Sequence, residues 1–568
     1  MSEQEKTRIT AEAYLTRLAE RGIDYVFANA GTDFAPIIEA ISRGTGQRRI
    51  PKIVTVPHEN VAMAMAHGYY RTCGRPAAVM VHVTVGTANT ICGLMNAARD
   101  GVPIMLAAGR TPLTETGHIA SRSRPIHWGQ EAFDQAGMLR EFVKWDYELR
   151  AGQPVEPLVD RALDIAMSEP RGPVYLTLPR EVLADPAVPS RRDTVRPLGA
   201  SPPAPDAAAI GEAARLIARA EFPLIVTSAG GRRPEAFAAL GALAETFALP
   251  VVQSEPRDIN LSTDHPMSVG FDIAALLPRA DVVLVLEAAV PWMPRKATPR
   301  RDAKIVHIGA DPLESRYPFR EYEADHLITG EAHLALALLH RALEDEIGED
   351  NRFEARRQAI ADVRADIAAR RRKVIAAARD QMPIHPAWLA DCVNAHKAKD
   401  AIVITELGVS PAFLDLTEPR TYIGNMLAGG LGMGLGAALG AKLAAPGREV
   451  IVTVGDGSYM FGNPLPYHFV ARAENLPTLT IVANNQTWHA VRQATLDVYP
   501  DGHAAKANVM PLTELKPSPA YEKVIETCGG HGERVEKPAD LPGAIARGLD
   551  AVRAGSPALI NVLTQGRV

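Results

Sequence analysis

Short apolar runs rich in β-branched residues recur along this chain, and stretches with apolar residues at helical spacing lie between them. Residues 25–28, 53–56, 77–81 and 104–107 read as strands buried on both faces, with amphipathic helices at 11–21 and 60–72 between them. The pattern returns at 224–227, 282–286 and 304–308, and again at 401–404, 450–454 and 478–482. Strand alternating with helix predicts a parallel sheet covered on both faces. A Pro/Arg/Ser-rich stretch at 185–206 and an Arg-rich helical stretch at 344–379 divide the pattern into three. The expected architecture is therefore α/β, with three doubly wound domains at residues 1–185, 207–345 and 383–568. No short repeat period appears.

Composition narrows the class. The chain has 568 residues, 47% of them apolar, which is enough for several buried cores. Lys plus Arg is 61 and Asp plus Glu 66, so the net charge is −5, which argues against a nucleic-acid binder. The four cysteines (Cys73, Cys92, Cys392 and Cys528) form no C-x-x-C pair, which suits a reducing, cytoplasmic compartment. The start, Met1 to Lys6, is polar and has no apolar signal core. The glycine-rich stretch 427–443 is the most membrane-like, but it reads better as a turn and helix that approach a ligand closely, and no membrane partner is expected.

The most informative residues stand directly after two predicted strands: Gly455-Asp456-Gly457-Ser458 and Asn484-Asn485-Gln486-Thr487. In doubly wound sheets, ligands bind at the carboxyl ends of strands. Glycines beside Asp456 let backbone N–H groups approach a diphosphate. Asp456 offers an anionic oxygen and Asn485 a neutral one, a hard donor pair suited to Mg²⁺. Each motif alone is also a plain turn or loop. Their joint occurrence, with Asn485 29 positions after Asp456, is what points to a site.

These motifs resemble the signature of thiamine diphosphate enzymes, and the whole chain is similar to the acetolactate synthase, benzoylformate decarboxylase and pyruvate oxidase superfamily. The resemblance implies a pyrimidine-binding, a middle and a diphosphate-binding domain, in that order. It implies Mg²⁺ on Asp456, Asn485 and the carbonyl of Thr487, with Gly455, Gly457 and Ser458 at the diphosphate. The spacing here exceeds the usual one by about two residues. They are expected in the 461–466 segment, where Pro464 and Pro466 would delay the helix. Glu59, at the end of a strand and the start of a helix, matches the glutamate that activates the aminopyrimidine and so generates the cofactor's carbanion. Taken alone it is a carboxylate stabilised at a helix N-terminus. Leu431 matches the apolar wedge that bends the cofactor, and Gly429 the carbonyl beside its amino group. Glu406, Gly408 and Val409 match the segment over the diphosphate and thiazolium.

The resemblance also bears on the reaction. His82 stands where benzoylformate decarboxylase has a histidine after its third strand, and acetolactate synthases have none there. Such a histidine protonates an enamine or holds a substrate carboxylate. Thr32, in Asn29-Ala30-Gly31-Thr32, takes the place of a substrate-binding serine. That decarboxylase's second histidine has no match in 289–294. Residues 129–135 resemble a synthase segment instead. Trp488 and His489 should line the substrate side of the thiazolium, where His489 would transfer a proton and Arg492 face a carboxylate, each also readable as structural, with His127-Trp128 at the pocket mouth. The flavin-contacting stretch of the synthases is not matched at 287–295, so FAD is not expected.

The reading is non-oxidative decarboxylation of a small-molecule 2-oxo acid, with acyloin formation beside it. The alternatives are an acetolactate synthase-like carboligase, a 2-hydroxyacyl lyase, or a cofactor-binding scaffold without turnover. The family's sites are shared between subunits, so a homodimer or homotetramer is implied.

Overall fold

Among the described residues, seventeen strands form three sheets, and every strand pair is parallel. The computed structural model describes residues 8–43, 49–190, 196–347 and 353–566. The polar run Met1 to Lys6, residues 191–195 and 348–352 of the two expected connectors, and the final two residues lie outside them.

The first sheet contains β1 (Tyr25–Ala28), β2 (Lys52–Thr55), β3 (Ala77–Val81), β4 (Ile104–Arg110), β5 (Asp146–Glu148) and β6 (Val174–Pro179), in the order β2-β1-β3-β4-β6-β5. The second contains β7 (Pro223–Thr227), β8 (Val251–Gln253), β9 (Val282–Leu286), β10 (Lys304–Gly309) and β11 (His326–Thr329), in the order β11-β10-β9-β7-β8. The third contains β12 (Ile402–Glu406), β13 (Tyr422–Ile423), β14 (Val450–Gly455), β15 (Leu479–Asn484), β16 (His531–Val535) and β17 (Ala558–Leu563), in the order β13-β12-β14-β15-β17-β16. The first and third sheets thus have one topology. In each, the connection direction reverses between the first and third strands, and a crevice opens at such a reversal. All five residues of β3 are buried, as are those of β7, β9 and β12. Helices on both faces explain why these strands read as apolar runs without alternation.

The chain folds as two compact units. One takes the described residues of Met1–Ser201, Met426–Pro446 and Met460–Leu476, and the other takes those of Pro202–Asn425, Gly447–Tyr459 and Pro477–Val568. The stretch 383–568 is therefore divided, which the sequence pattern did not suggest. The cause in the first unit is a close helix crossing between α1 (Glu59–Cys73) and α3 (Met433–Ala444). A side chain on Gly68 would come within 2.1 Å of the Ala437 carbonyl oxygen, and one on Gly440 within 2.0 Å of that of Met65. Between these helices in sequence lies α2 (Val83–Asn89). The apolar stretch 427–443 is thus a turn and a packed helix, and no described helix is long and apolar enough to cross a membrane.

One local expectation needs correction. The prolines after Asp456 do not delay a helix. α4 (Asp456–Phe461) begins at Asp456 itself, and Pro464 opens a second helix, α5 (Pro464–Ala473). Proline suits a first helical position, where its missing N–H has no partner to lose. Asn463, at φ +51°, makes the break.

Candidate active site

In the first unit, Thr32 follows β1 and His82 follows β3, which places both at the sheet's reversal point. His82 caps α2, and the next residue, Val83, has φ +28°. Positive φ strains a β-branched residue, so the turn that aims His82 costs energy held in place by its surroundings. His82 Nδ1 lies 2.5 Å from Asp33 Oδ1, and its Nε2 lies 3.2 Å from Gln130 Nε2. The Thr32 hydroxyl lies 3.2 Å from His127 Nε2. His127 is buried, and its pKa is lowered, first by burial and then by the charges of Arg180, Arg122 and Arg124. Arg180 is spent on backbone: its guanidinium donates to the carbonyls of Thr32, Ala120 and Ser121. Trp128 is half exposed.

Glu59 opens α1 and is 6% exposed. The Asn89 amide donates to Glu59 Oε2 at 3.1 Å, and Gly86 leaves room beside Oε1, since a side chain there would begin 3.3 Å away. Leu431 is partly exposed on a loop that Asn96 ties down twice: its amide donates to the Gly430 carbonyl at 2.7 Å and accepts from Gly430 N–H at 3.1 Å. Gly429 has φ +67° and open space where a side chain would be. Sequence reading missed Asn89, Asn96, Asp33 and Gln130 as supports. Each lies far along the chain from, or out of register with, the residue it holds, and no local motif marks the pairing.

In the second unit, Asp456 follows β14 and Glu406 ends β12, again the two strands flanking the reversal. Asp456 is 2% exposed. Its Oδ1 accepts from Gly457 N–H at 3.0 Å and its Oδ2 from Gln486 N–H at 2.7 Å. Burial pushes its carboxyl up to about 6, against the lowering effect of those backbone donors. Asn485 Oδ1 accepts from the N–H and hydroxyl of Thr487, both at 2.9 Å, and the Thr487 carbonyl accepts from His489 N–H at 2.8 Å. Gln486 between them has φ +58°, and Leu407, after Glu406, has φ +56°. Left-handed residues thus close both strand ends.

This set fits a divalent cation. A buried carboxylate with no ion pair among the described residues stands beside an amide oxygen and a backbone carbonyl, all hard oxygens. The described residues contain no cluster of three or more His, Cys, Asp or Glu side chains that could serve instead. A diphosphate fits next to it: the Ser458 hydroxyl, at the start of α4, is buried without a hydrogen-bond partner. Gly455 has no atom nearer than 3.5 Å to a would-be side chain. Other residues in these motifs are closely packed as well. A side chain on Gly408 would meet the Thr453 carbonyl at 2.3 Å, and one on Gly457 the Trp488 ring at 2.1 Å. Val409 lies in the core, its N–H bonded to the Thr453 hydroxyl. His489 opens α6 (His489–Val498) with its ring against Gly566, while Arg492 is bonded to Asn508.

Three family models match the chain: the thiamine pyrophosphate enzyme N-terminal binding domain over residues 9–138, the central domain over 210–339, and the C-terminal binding domain over 407–562. The chain is 28% identical over 568 residues to benzoylformate decarboxylase of Pseudomonas aeruginosa, covering 96% of this chain and 97% of that one. It is 26% identical over 565 residues to the acetolactate synthase large subunit of Mycobacterium tuberculosis, covering 97% and 95%. Benzoylformate decarboxylase from Polynucleobacter necessarius shares the fold with a TM-score of 0.80 at 18% identity, over 99% of both chains. The 4-hydroxybenzoylformate decarboxylase of Rhodococcus jostii does so with a TM-score of 0.77 at 23% identity, over 98% of this chain and 99% of that one.

Proposed function

The chain belongs to the thiamine pyrophosphate enzyme family, and from that membership we propose that it is a Mg²⁺-dependent decarboxylase of a 2-oxo acid, with joining of two carbonyl compounds as a side reaction. When bound, thiamine diphosphate supplies a carbon nucleophile for the 2-oxo carbonyl and a sink for the electrons that CO2 leaves behind. The observation that carries the reading is His82, a partly exposed imidazole fixed at the reversal point beside Thr32.

The residues divide the work. Asp456, Asn485 and the Thr487 carbonyl would hold Mg²⁺; Gly455, Gly457 and Ser458 would hold the diphosphate, with Glu406 and Gly408 alongside. Glu59, steadied by Asn89, would hold a proton at the pyrimidine ring, and Gly429 and Leu431 would fix that ring's position. His82 would deliver the proton that replaces the lost carboxylate, and the Thr32 hydroxyl would bind the substrate. Trp488 packs on Gly457 and would close the diphosphate side, and His489, which opens α6, would transfer a proton on the substrate side.

A second reading, an acetolactate synthase-like carboligase or hydroxyacyl lyase, is favoured by the Mycobacterium relative, which matches along nearly the whole chain. Retention of Glu59, Asp456 and Asn485 speaks against a scaffold without turnover. The test is CO2 release from aliphatic and aromatic 2-oxo acids with Mg²⁺ and thiamine diphosphate, beside Glu59→Gln. Release that collapses in that variant supports decarboxylation. No release from any acid overturns it and moves the second reading forward. We further propose a homodimer or homotetramer with cofactors held between subunits. At Mg²⁺ too low to load Asp456→Ala, mixing Glu59→Gln with Asp456→Ala chains should then restore activity to about a quarter of the sites, whereas mixtures as inactive as their parents would overturn the shared arrangement.

A further inference from the structure

The pairing of His82 with Asp33 has no counterpart in any motif that drew attention to the site. Asp33 lies in the short turn Thr32–Phe34 and is 2% exposed. Its Oδ1 faces His82 Nδ1, and its Oδ2 is buried without a hydrogen-bond partner. Two glycines make room for the pair. A side chain on Gly109 would begin 1.9 Å from Asp33 Oδ2, and one on Gly31 would begin 2.1 Å from His82 Cγ and Nδ1. The ring is therefore laid on the Gly31 backbone, the carboxylate is set against Gly109 of β4, and the strained Val83 holds the chain between them.

We propose that Asp33 is the positioning residue for His82: its carboxylate accepts from Nδ1–H and thereby keeps the working nitrogen, Nε2, aimed at the substrate. The proposal rests on the proton-transfer role given to His82 above. A ring whose Nδ1 is committed to a carboxylate has one remaining nitrogen, so the neutral form presents a lone pair and the charged form an N–H, both at Nε2. Gln130 suits both states. Its amide nitrogen donates to the neutral Nε2 at 3.2 Å. Its Oε1 is buried without a partner, so a half-turn of the amide brings an acceptor to Nε2–H of the charged ring. The proton cycle is balanced: the charged ring gives the Nε2 proton to carbon and then recovers one from solvent, while the Nδ1 proton never leaves the bond to Asp33.

The decisive measurement is the tautomer. In protein carrying ¹⁵N-labelled histidine, free of cofactor, the neutral His82 ring should be protonated on Nδ1, assigned by loss of its signals in His82→Ala. A proton on Nε2 overturns the proposal. In the holoenzyme, Asp33→Asn should lower kcat by about 100-fold with KM within about threefold, because an amide no longer selects the tautomer. Gly109→Ala keeps both side chains yet drives the carboxylate aside, and should show the same split. Unchanged kcat in Asp33→Asn, with His82→Ala inactive, overturns the role of Asp33 and leaves the decarboxylase reading standing. Full activity in His82→Ala overturns the role of His82 itself.

Discussion

The first and third sheets have the same strand order and place their site residues at the carboxyl ends of their strands, yet they hold those residues by different means. In the third, Asp456 and Asn485 are held chiefly by backbone N–H groups from one to two residues away or from the neighbouring strand end, joined at Asn485 by the Thr487 hydroxyl. In the first, Glu59 and His82 are held by side chains: Asn89, Asp33 and Gln130. The difference matches the work proposed for each. A metal and a diphosphate need fixed oxygens and fixed donors, and backbone supplies these without side-chain entropy. A proton that must come and go needs a partner that can change donor for acceptor, as a side-chain amide does by turning over and a backbone group does not.

The comparison breaks first, and most strongly, at Glu59. Glu59→Gln keeps the size and the contact with Asn89 but removes the proton-holding carboxylate. Turnover should fall about 1,000-fold, within the range for a lost general acid or base, while thiamine diphosphate affinity measured by calorimetry stays within a few-fold. A parallel loss of affinity would make Glu59 a binding residue and erase the contrast. Asp456→Ala should do the reverse. Mg²⁺ affinity should drop by about 100-fold or more as the one anionic oxygen disappears, and saturating metal and cofactor should recover much of the turnover.

How legible each sheet was follows from the same contrast. The diphosphate end could be read because backbone-held residues must be adjacent: Gly455 to Ser458 and Asn484 to Thr487 are short words with their geometry built in. The three sheets were legible for a related reason, since strands buried on both faces leave apolar runs. The supports of the other end were not. Asn89 is 30 positions from Glu59 and Asp33 is 49 from His82, and nothing local marks either pairing. The division of the third block escaped notice too, because glycines of α3 announce a close approach without naming α1 as the partner. Val409 and Gly408 lie inside a recognised word and also pack against the core and the neighbouring strand.

Asp456 also makes the stability of the diphosphate end depend on pH. Its carboxyl is raised to about 6 by burial, against about 3.9 in an unfolded chain. A raised carboxyl binds more protons in the folded state, so its contribution is fully present below pH 4 and is lost as pH rises through 6. In metal-free protein the ionised group then works against folding by up to about 3 kcal/mol. Asp456→Asn should accordingly be more stable than the parent at pH 7.5 in urea unfolding, with the gap closing below pH 4. Added Mg²⁺ should narrow the gap by stabilising only the parent. A gap independent of pH would remove the buried charge as its cause.

Two glycine substitutions sharpen the contrast at its smallest scale. Gly68→Ala puts a methyl 2.1 Å from the Ala437 carbonyl, which is backbone of a packed helix and has nowhere to go. The crossing of α1 and α3 must open, at about 1–3 kcal/mol of stability, and the N-terminus of α1, with Glu59, moves with it. Gly457→Ala puts a methyl 2.1 Å from the Trp488 ring, a side chain on a partly exposed segment. The ring swings away, so the urea midpoint should change less than in Gly68→Ala, while the diphosphate loses a wall and cofactor affinity falls. If instead Gly457→Ala proves the more destabilising, Trp488 is pinned as firmly as a helix backbone. The second unit's site would then be held by side-chain packing after all, like the first.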